Sequence, residues 1–151
     1  MDAEQKKRLK QLKEKNNMYI KKRSLEDNTL LNECITVLKG YAEVLEQEDK
    51  NKVFRIFDRK IPFLPWGIDW KKIEESKVIN CVKEISEVCI SREFYIIWHK
   101  EFPIIKCDLA TIINNIDDVC AVEWDTWLLS IDYKEVVEFT HDNKITFGKL
   151  N

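Results

Sequence analysis

Residues Asp108–Ile131 read DLATIINNIDDVCAVEWDTWLLSI, and a change of period inside this stretch decides the fold. Leu109, Ile112, Ile113 and Ile116 recur at i, i+3, i+4 and i+7, the apolar stripe of a helix with one buried face. Asp108 stands where an N-cap is wanted, and Asn114 and Asn115 lie near the expected end. From Ala121 the period falls to two. Val122, Trp124, Thr126 and Leu128 face one side of a strand over 121–131, and Glu123, Asp125, Trp127 and Leu129 face the other. Upstream, Phe94–Trp98 (FYIIW) is a dense apolar run short enough for a central strand, and His99-Lys100-Glu101 turns the chain after it. The helix at 108–116 therefore sits between two strands as a crossover. Downstream, Val136–Thr140 and Ile145–Leu150 read as a hairpin. A three-residue loop, Asp142-Asn143-Lys144, pairs Phe139 with Phe147 and His141 with Ile145. A two-residue Asp142-Asn143 turn pairs Phe139 with Thr146 instead, and apolar matching favours the first.

The chain ahead of this region is mainly helical. Residues 3–17 are rich in helix formers, with only Leu9 and Leu12 as an apolar stripe. Ser24 and Asp27 have the form of a capping box. Leu31, Cys34, Leu38, Tyr41 and Leu45 then follow at helical spacing, with Gly40 positioned to end or interrupt the helix. Val53, Phe54, Ile56 and Phe57 suit another helical piece or a short strand, and helix is preferred. Residues 61–70, IPFLPWGIDW, read as an aromatic loop anchored by Phe63, Trp66 and Trp70, because Pro62 and Pro65 oppose regular pairing. A third helix is expected over Ser76–Val88.

The fold class that results is α+β. N-terminal helices pack on one face of a small, mostly antiparallel C-terminal sheet with one crossover helix. A length of 151 residues suits a single domain. It divides into a basic helical arm at 1–23, a mainly helical part at 24–90 and a sheet part at 91–151. Three glycines and three prolines leave no room for long flexible linkers. No apolar run reaches the roughly 18 residues that a membrane span needs. The basic N-terminus has no apolar stretch behind it and does not read as a secretory signal. Five cysteines without a CxxC pair read as free, mostly buried thiols in a reducing cytoplasm.

The net charge of −2 conceals an asymmetry. Residues 1–23 carry nine Lys/Arg against three Asp/Glu, and residues 24–151 carry sixteen against twenty-four, so a +6 arm precedes a −8 body. Such a body repels nucleic acid and attracts a basic protein partner. The acids concentrate at Asp117–Trp127, DDVCAVEWDTW, which has four carboxylates, two tryptophans and no Lys or Arg. On the helix-then-strand reading, Asp117 and Asp118 follow a helix C-terminus, where the macrodipole disfavours acids. Glu123, Asp125 and Trp127 share one face of the next strand. Asp117, Asp118, Glu123, Asp125 and Trp127 are thus the candidate partner-binding residues.

Enzyme signatures are weak. No serine or cysteine has a local base, and no glycine-rich loop is present to cradle a phosphate. No catalytic residue, metal site or cofactor is assigned, and a non-enzymatic binding protein is expected. One alternative is a metal-dependent hydrolase that holds a divalent cation with Asp117, Asp118, Glu123 and Asp125. Another is a nucleic-acid-binding regulator that uses the basic arm.

Two stretches carry a resemblance. Phe102–Ser130, FPIIKCDLATIINNIDDVCAVEWDTWLLS, with the closing hairpin, and Pro62–Ile73, PFLPWGIDWKKI, resemble immunity proteins of bacterial contact-dependent growth inhibition and related polymorphic toxin systems. The resemblance covers about the C-terminal three-fifths of the chain and includes no catalytic signature. It implies a cytoplasmic protein that binds the C-terminal toxin domain of a cognate effector. That protein would block the toxin's active site or another essential surface. Many such toxins are nucleases with basic clefts, which an acidic body suits. No contact residue can be carried over from the family, so the candidates rest on the charge argument, with Trp127 included for the face it shares with Glu123 and Asp125.

Overall fold

A computed structural model describes residues 3–11 and 29–151. Helix α1 spans residues 3–11, and its side chains are exposed. The rest of the basic arm, and the capping box at Ser24 and Asp27, lie outside the described residues. After them come α2 (Thr29–Val37), β1 (Ala42–Val44), α3 (Gln47–Lys60), β2 (Phe63–Leu64), β3 (Gly67–Ile68) and a 3-10 turn at Trp70–Lys72. Then follow β4 (Glu75–Ile79), α4 (Lys83–Val88), β5 (Glu93–Ile97), β6 (Ile105–Asp108), α5 (Leu109–Asn114), α6 (Ile116–Cys120), β7 (Thr126–Ser130), β8 (Glu135–Phe139) and β9 (Ile145–Lys149).

Seven strands form one sheet in the order β1-β6-β5-β7-β8-β9-β4, and every neighbouring pair is antiparallel. Because β6 and β7 both flank β5 antiparallel to it, they run parallel to each other, and α5 and α6 make the crossover between them. The α+β class with a crossover helix is therefore the fold. Alternation along the strands sends apolar residues to both faces. Phe94, Ile96, Leu128, Val137 and Phe147 pack with Cys34 and Leu38, with Ile85 of α4, and with Leu109, Ile112 and Val119 of α5 and α6. Ile97, Leu129 and Val136 pack on the opposite face with Val53 and Phe57 of α3, and with Ile61, Ile68 and Ile73. Helices thus cover both faces of the sheet, where one face was expected. The apolar periodicity of α3 is real, but nothing in it says which side of the sheet it meets.

Local chemistry accounts for the boundaries. Asp108 caps α5 by accepting the Thr111 backbone N–H at 2.9 Å and its hydroxyl at 2.7 Å. At Asn115 (φ −120°, ψ 26°) the backbone leaves helical geometry, so the expected single helix is two, α5 and α6. Gly40, at φ 89°, takes the left-handed conformation just past α2 and lets the chain turn into β1, which ends the helix expected to run on to Leu45. Helix α3 begins inside the polar run ahead of Val53. Glu48 and Asp49 lie in its first turn and Arg59 and Lys60 in its last, which matches the helix dipole at both ends.

Five expectations are corrected. Glu75–Ile79 is strand rather than the start of a helix. Its first four side chains are exposed and its backbone pairs with β9, Ser76 opposite Gly148 and Val78 opposite Thr146. Pro62 and Pro65 do not prevent pairing, because they flank β2, and Phe63 and Leu64 pair with Ile68 and Gly67. In that aromatic segment Trp66 is 71% exposed and anchors nothing, while Trp70 does. The strand expected over 121–131 begins only at Thr126, because residues 121–125 turn out of α6. The closing hairpin does have a three-residue loop, His141-Asp142-Asn143, closed by Thr140 N–H to the Lys144 carbonyl at 3.0 Å. It lies one residue earlier than expected and places Phe139 opposite Ile145. Asn143 takes the left-handed position (φ 63°) that such a loop needs at its last residue.

Two glutamates on β8 tie the layers to the sheet. Glu135, 4% exposed, faces α4 and accepts the backbone N–H groups of Ile90 and Ser91 at 2.9 and 2.7 Å. Glu138, also 4% exposed, faces the other way. It accepts the Ile68 N–H at 2.9 Å and the indole N–H groups of Trp70 and Trp127 at 3.1 and 3.0 Å. Buried carboxylates require such donors, and here neutral N–H groups supply them.

Candidate functional site

The acidic end of the molecule is assembled from three segments that the sheet brings together: α6, the turn at 121–125 and the β8–β9 loop. Asp117 and Asp118 occupy the first turn of α6. The break at Asn115 therefore moves them from the end of one helix to the start of another, where acids suit the dipole. The turn that follows ends at Asp125, whose Oδ1 accepts the His141 backbone N–H at 3.2 Å and lies 3.4 Å from His141 Nδ1. The Trp124 and His141 rings meet at 5.4 Å between centroids, tilted by 49°. In the loop, the Thr140 hydroxyl donates to Asp142, and this bond holds the Asp142 carboxyl below the usual carboxylate range.

These segments surround a cavity of about 530 Å³. Ile116, Val82, Phe139 and Ile145 give it apolar walls, Trp124 and His141 an aromatic one, and Asp117 and Glu123 the charge. Neither lysine nor arginine lines it. Cys120 and Thr126, which also line it, are hydrogen-bonded to each other; burial nevertheless pushes the Cys120 thiol up to about 12. That proton stays in place at neutral pH, and the thiol contributes no charge.

The five candidate residues separate. Asp117 and Glu123 line the cavity, and Asp125 braces its histidine wall. Asp118 lines a different groove, with Asn32, Glu33 and Thr36 of α2. Trp127 lies on the opposite face of the sheet, where its ring packs edge-on against Phe57 and Phe63 and its N–H goes to Glu138. The face that Trp127 was expected to share with Glu123 and Asp125 does not exist, because both acids precede the strand. Of the two tryptophans, Trp124 is the more open, at 39%. Sequence reasoning passed over Trp124 and His141 as site residues. The signal that could have found them is the polar Thr-His-Asp-Asn run of the hairpin loop, a natural place for a histidine to meet a neighbouring turn.

Among the described residues, no three His, Cys, Asp or Glu side chains converge where they could hold a metal ion. Asp117, Asp118, Glu123 and Asp125 do not form the cation site that a hydrolase would need. No helix among the described residues is long and apolar enough to cross a membrane.

The sequence pattern of one family, described as CdiI immunity protein EcoliA0-like, matches residues 28–148. Among the described residues, the matched span includes the strands and the helices from α2 onward, up to the penultimate residue of β9. No curated protein matches the chain.

Proposed function

Because the chain belongs to the EcoliA0-like CdiI immunity protein family, whose members neutralise a toxin, we propose that it binds a nuclease toxin domain with a basic cleft. Binding occludes the toxin's active site or another surface essential to it. The observation that carries this reading is the cavity end, where Asp117 and Glu123 line a hollow free of Lys and Arg, with Asp125 and Asp142 beside it. A nuclease cleft is built to attract phosphates, so an inhibitor that presents carboxylates meets the same field and associates faster. The protein acts in the cytoplasm of the cell it protects, as a binder without chemistry of its own. The test is co-expression with the toxic C-terminal domain encoded by the neighbouring upstream gene. Protected growth and a complex that co-elutes on gel filtration are expected. Failure to protect against that domain refutes the proposal.

A further inference from the structure

Electrostatic attraction alone does not call for a hole. Steering acts over distances near the Debye length and needs no apolar wall. The acidic end nevertheless contains a cavity of about 530 Å³ with apolar walls from Ile116, Phe139 and Ile145, within the size range of ligand pockets. Its occupant must be apolar along its stem and cationic at its tip, because Asp117 and Glu123 supply charge and no lining residue is Lys or Arg. Long basic side chains have this character. Between the two, arginine fits better. Trp124 gives an aromatic surface on which a planar guanidinium can stack, and the two carboxylates can take up its fork of donors. The wall is fixed in advance by the Asp125–His141 bonds and the Trp124–His141 contact, so little ordering is needed when a side chain enters.

Resting on the toxin-binding reading above, we propose that this cavity receives an arginine-led turn of the toxin and is the energetic centre of the interface. The cavity is larger than one side chain, and the neighbours of the arginine fill the remainder against the apolar walls. The rest of the acidic surface then governs how fast the partners meet, while the cavity governs how long they stay together.

The experiment uses the full chain and the toxin domain encoded beside it, with association and dissociation rates measured separately. Asp117→Asn with Glu123→Gln preserves side-chain shape and should speed dissociation about ten-fold or more, the scale of a charged hydrogen bond. Glu33→Gln removes a charge from the neighbouring groove and should leave dissociation unchanged. Each toxin arginine is then replaced by methionine. One of these replacements should weaken binding to the native chain but cause no further loss in the Asp117/Glu123 variant. Equal dissociation rates for the native chain and that variant overturn the inference, as does the absence of any coupled toxin arginine. If the native chain itself fails to bind the toxin, the functional reading falls instead. Matching thermal unfolding of the variants shows that the fold is intact. Should the double variant unfold early, Glu123→Gln alone carries the same coupling test.

Discussion

Glu138 gives the sharpest test of how the layers are held. Its Oε2 accepts the Ile68 N–H at 2.9 Å and the Trp127 indole at 3.0 Å, and its Oε1 accepts the Trp70 indole at 3.1 Å. Glu138→Gln keeps the shape but leaves only one acceptor oxygen. The better amide orientation keeps that oxygen toward Ile68 and Trp127 and turns its NH2 against the Trp70 N–H. One charge-assisted bond is lost, at about 1.5–3 kcal/mol, and two others fall to neutral strength, each weaker by about 1 kcal/mol. A neutral amide is cheaper to bury than a carboxylate, which offsets part of this. The net cost is about 2–4 kcal/mol, a fall in Tm of about 5–15 °C for a chain of this size. Glu138→Met leaves three donors unsatisfied at about 1–3 kcal/mol each and should cost about twice as much. Thermal unfolding followed by tryptophan fluorescence reads both, since Trp70 and Trp127 are two of the five reporting rings. A Gln variant as stable as the native chain, or a Met variant no worse than Gln, refutes the account of Glu138 as the clamp for the β2–β3 hairpin.

Gly148→Ala tests the same layer from β9. A Cβ there would lie 2.5 Å from Trp70 Cζ3, and Trp70 cannot swing away without giving up Glu138, so urea unfolding should show a loss of about 1–3 kcal/mol. Thiol labelling should be selective. Burial pushes Cys34 and Cys89 up to about 12 and Cys107 up to about 11, while Cys81 is exposed. Iodoacetamide at pH 8 should therefore modify Cys81 first and all five only after denaturation. Fast labelling of Cys34 in the native chain would contradict the packing of α2. These three raised thiols, together with Cys120, favour the fold up to pH 9 and lose that contribution as pH rises toward 11–12. Melting temperature should accordingly fall across this alkaline window in the native chain, and fall less in a Cys34→Ala variant. Reversing the charges at Asp117, Asp118, Glu123 and Asp125 should slow association with the toxin at low salt, with the difference shrinking as salt is raised. Unchanged rates would place the interface elsewhere.

The parts of the fold visible in the sequence are those whose reasons are local. FYIIW at 94–98 reads as a buried strand and supplies most of β5, the stripe from Leu109 to Ile113 reads as a helical face and forms α5, and Asp108 caps that helix through a residue three positions away. The four-residue strand β6 escaped notice because Ile105–Asp108 is too short to display a period beside Pro103. Strand β4 was misread because an edge strand with exposed side chains has no apolar signature, and its partner Gly148 is distant in sequence. The acidic end was legible as composition but not as geometry. Two acids reached the cavity, one braced it and one faced α2, because the chain turned at 121–125 instead of extending. Glu138 gives no signal in the sequence, since two of its three donors, Ile68 and Trp70, stand 70 and 68 residues away.

That separation bears on how the molecule comes into being. Among the described residues, strand β4 has a single sheet neighbour, β9, and the β2–β3 hairpin is clamped by a side chain on β8. During vectorial synthesis, β4 therefore leaves the ribosome long before the strand it pairs with exists, and the β2–β3 hairpin long before its clamp. Through that interval β4 is an unpaired strand and Trp70 an uncovered indole, the kind of surface that chaperones retain and aggregation exploits. The β8–β9 hairpin supplies what both segments lack, β9 for β4 and Glu138 for the β2–β3 hairpin, so it locks two distant parts of the molecule together.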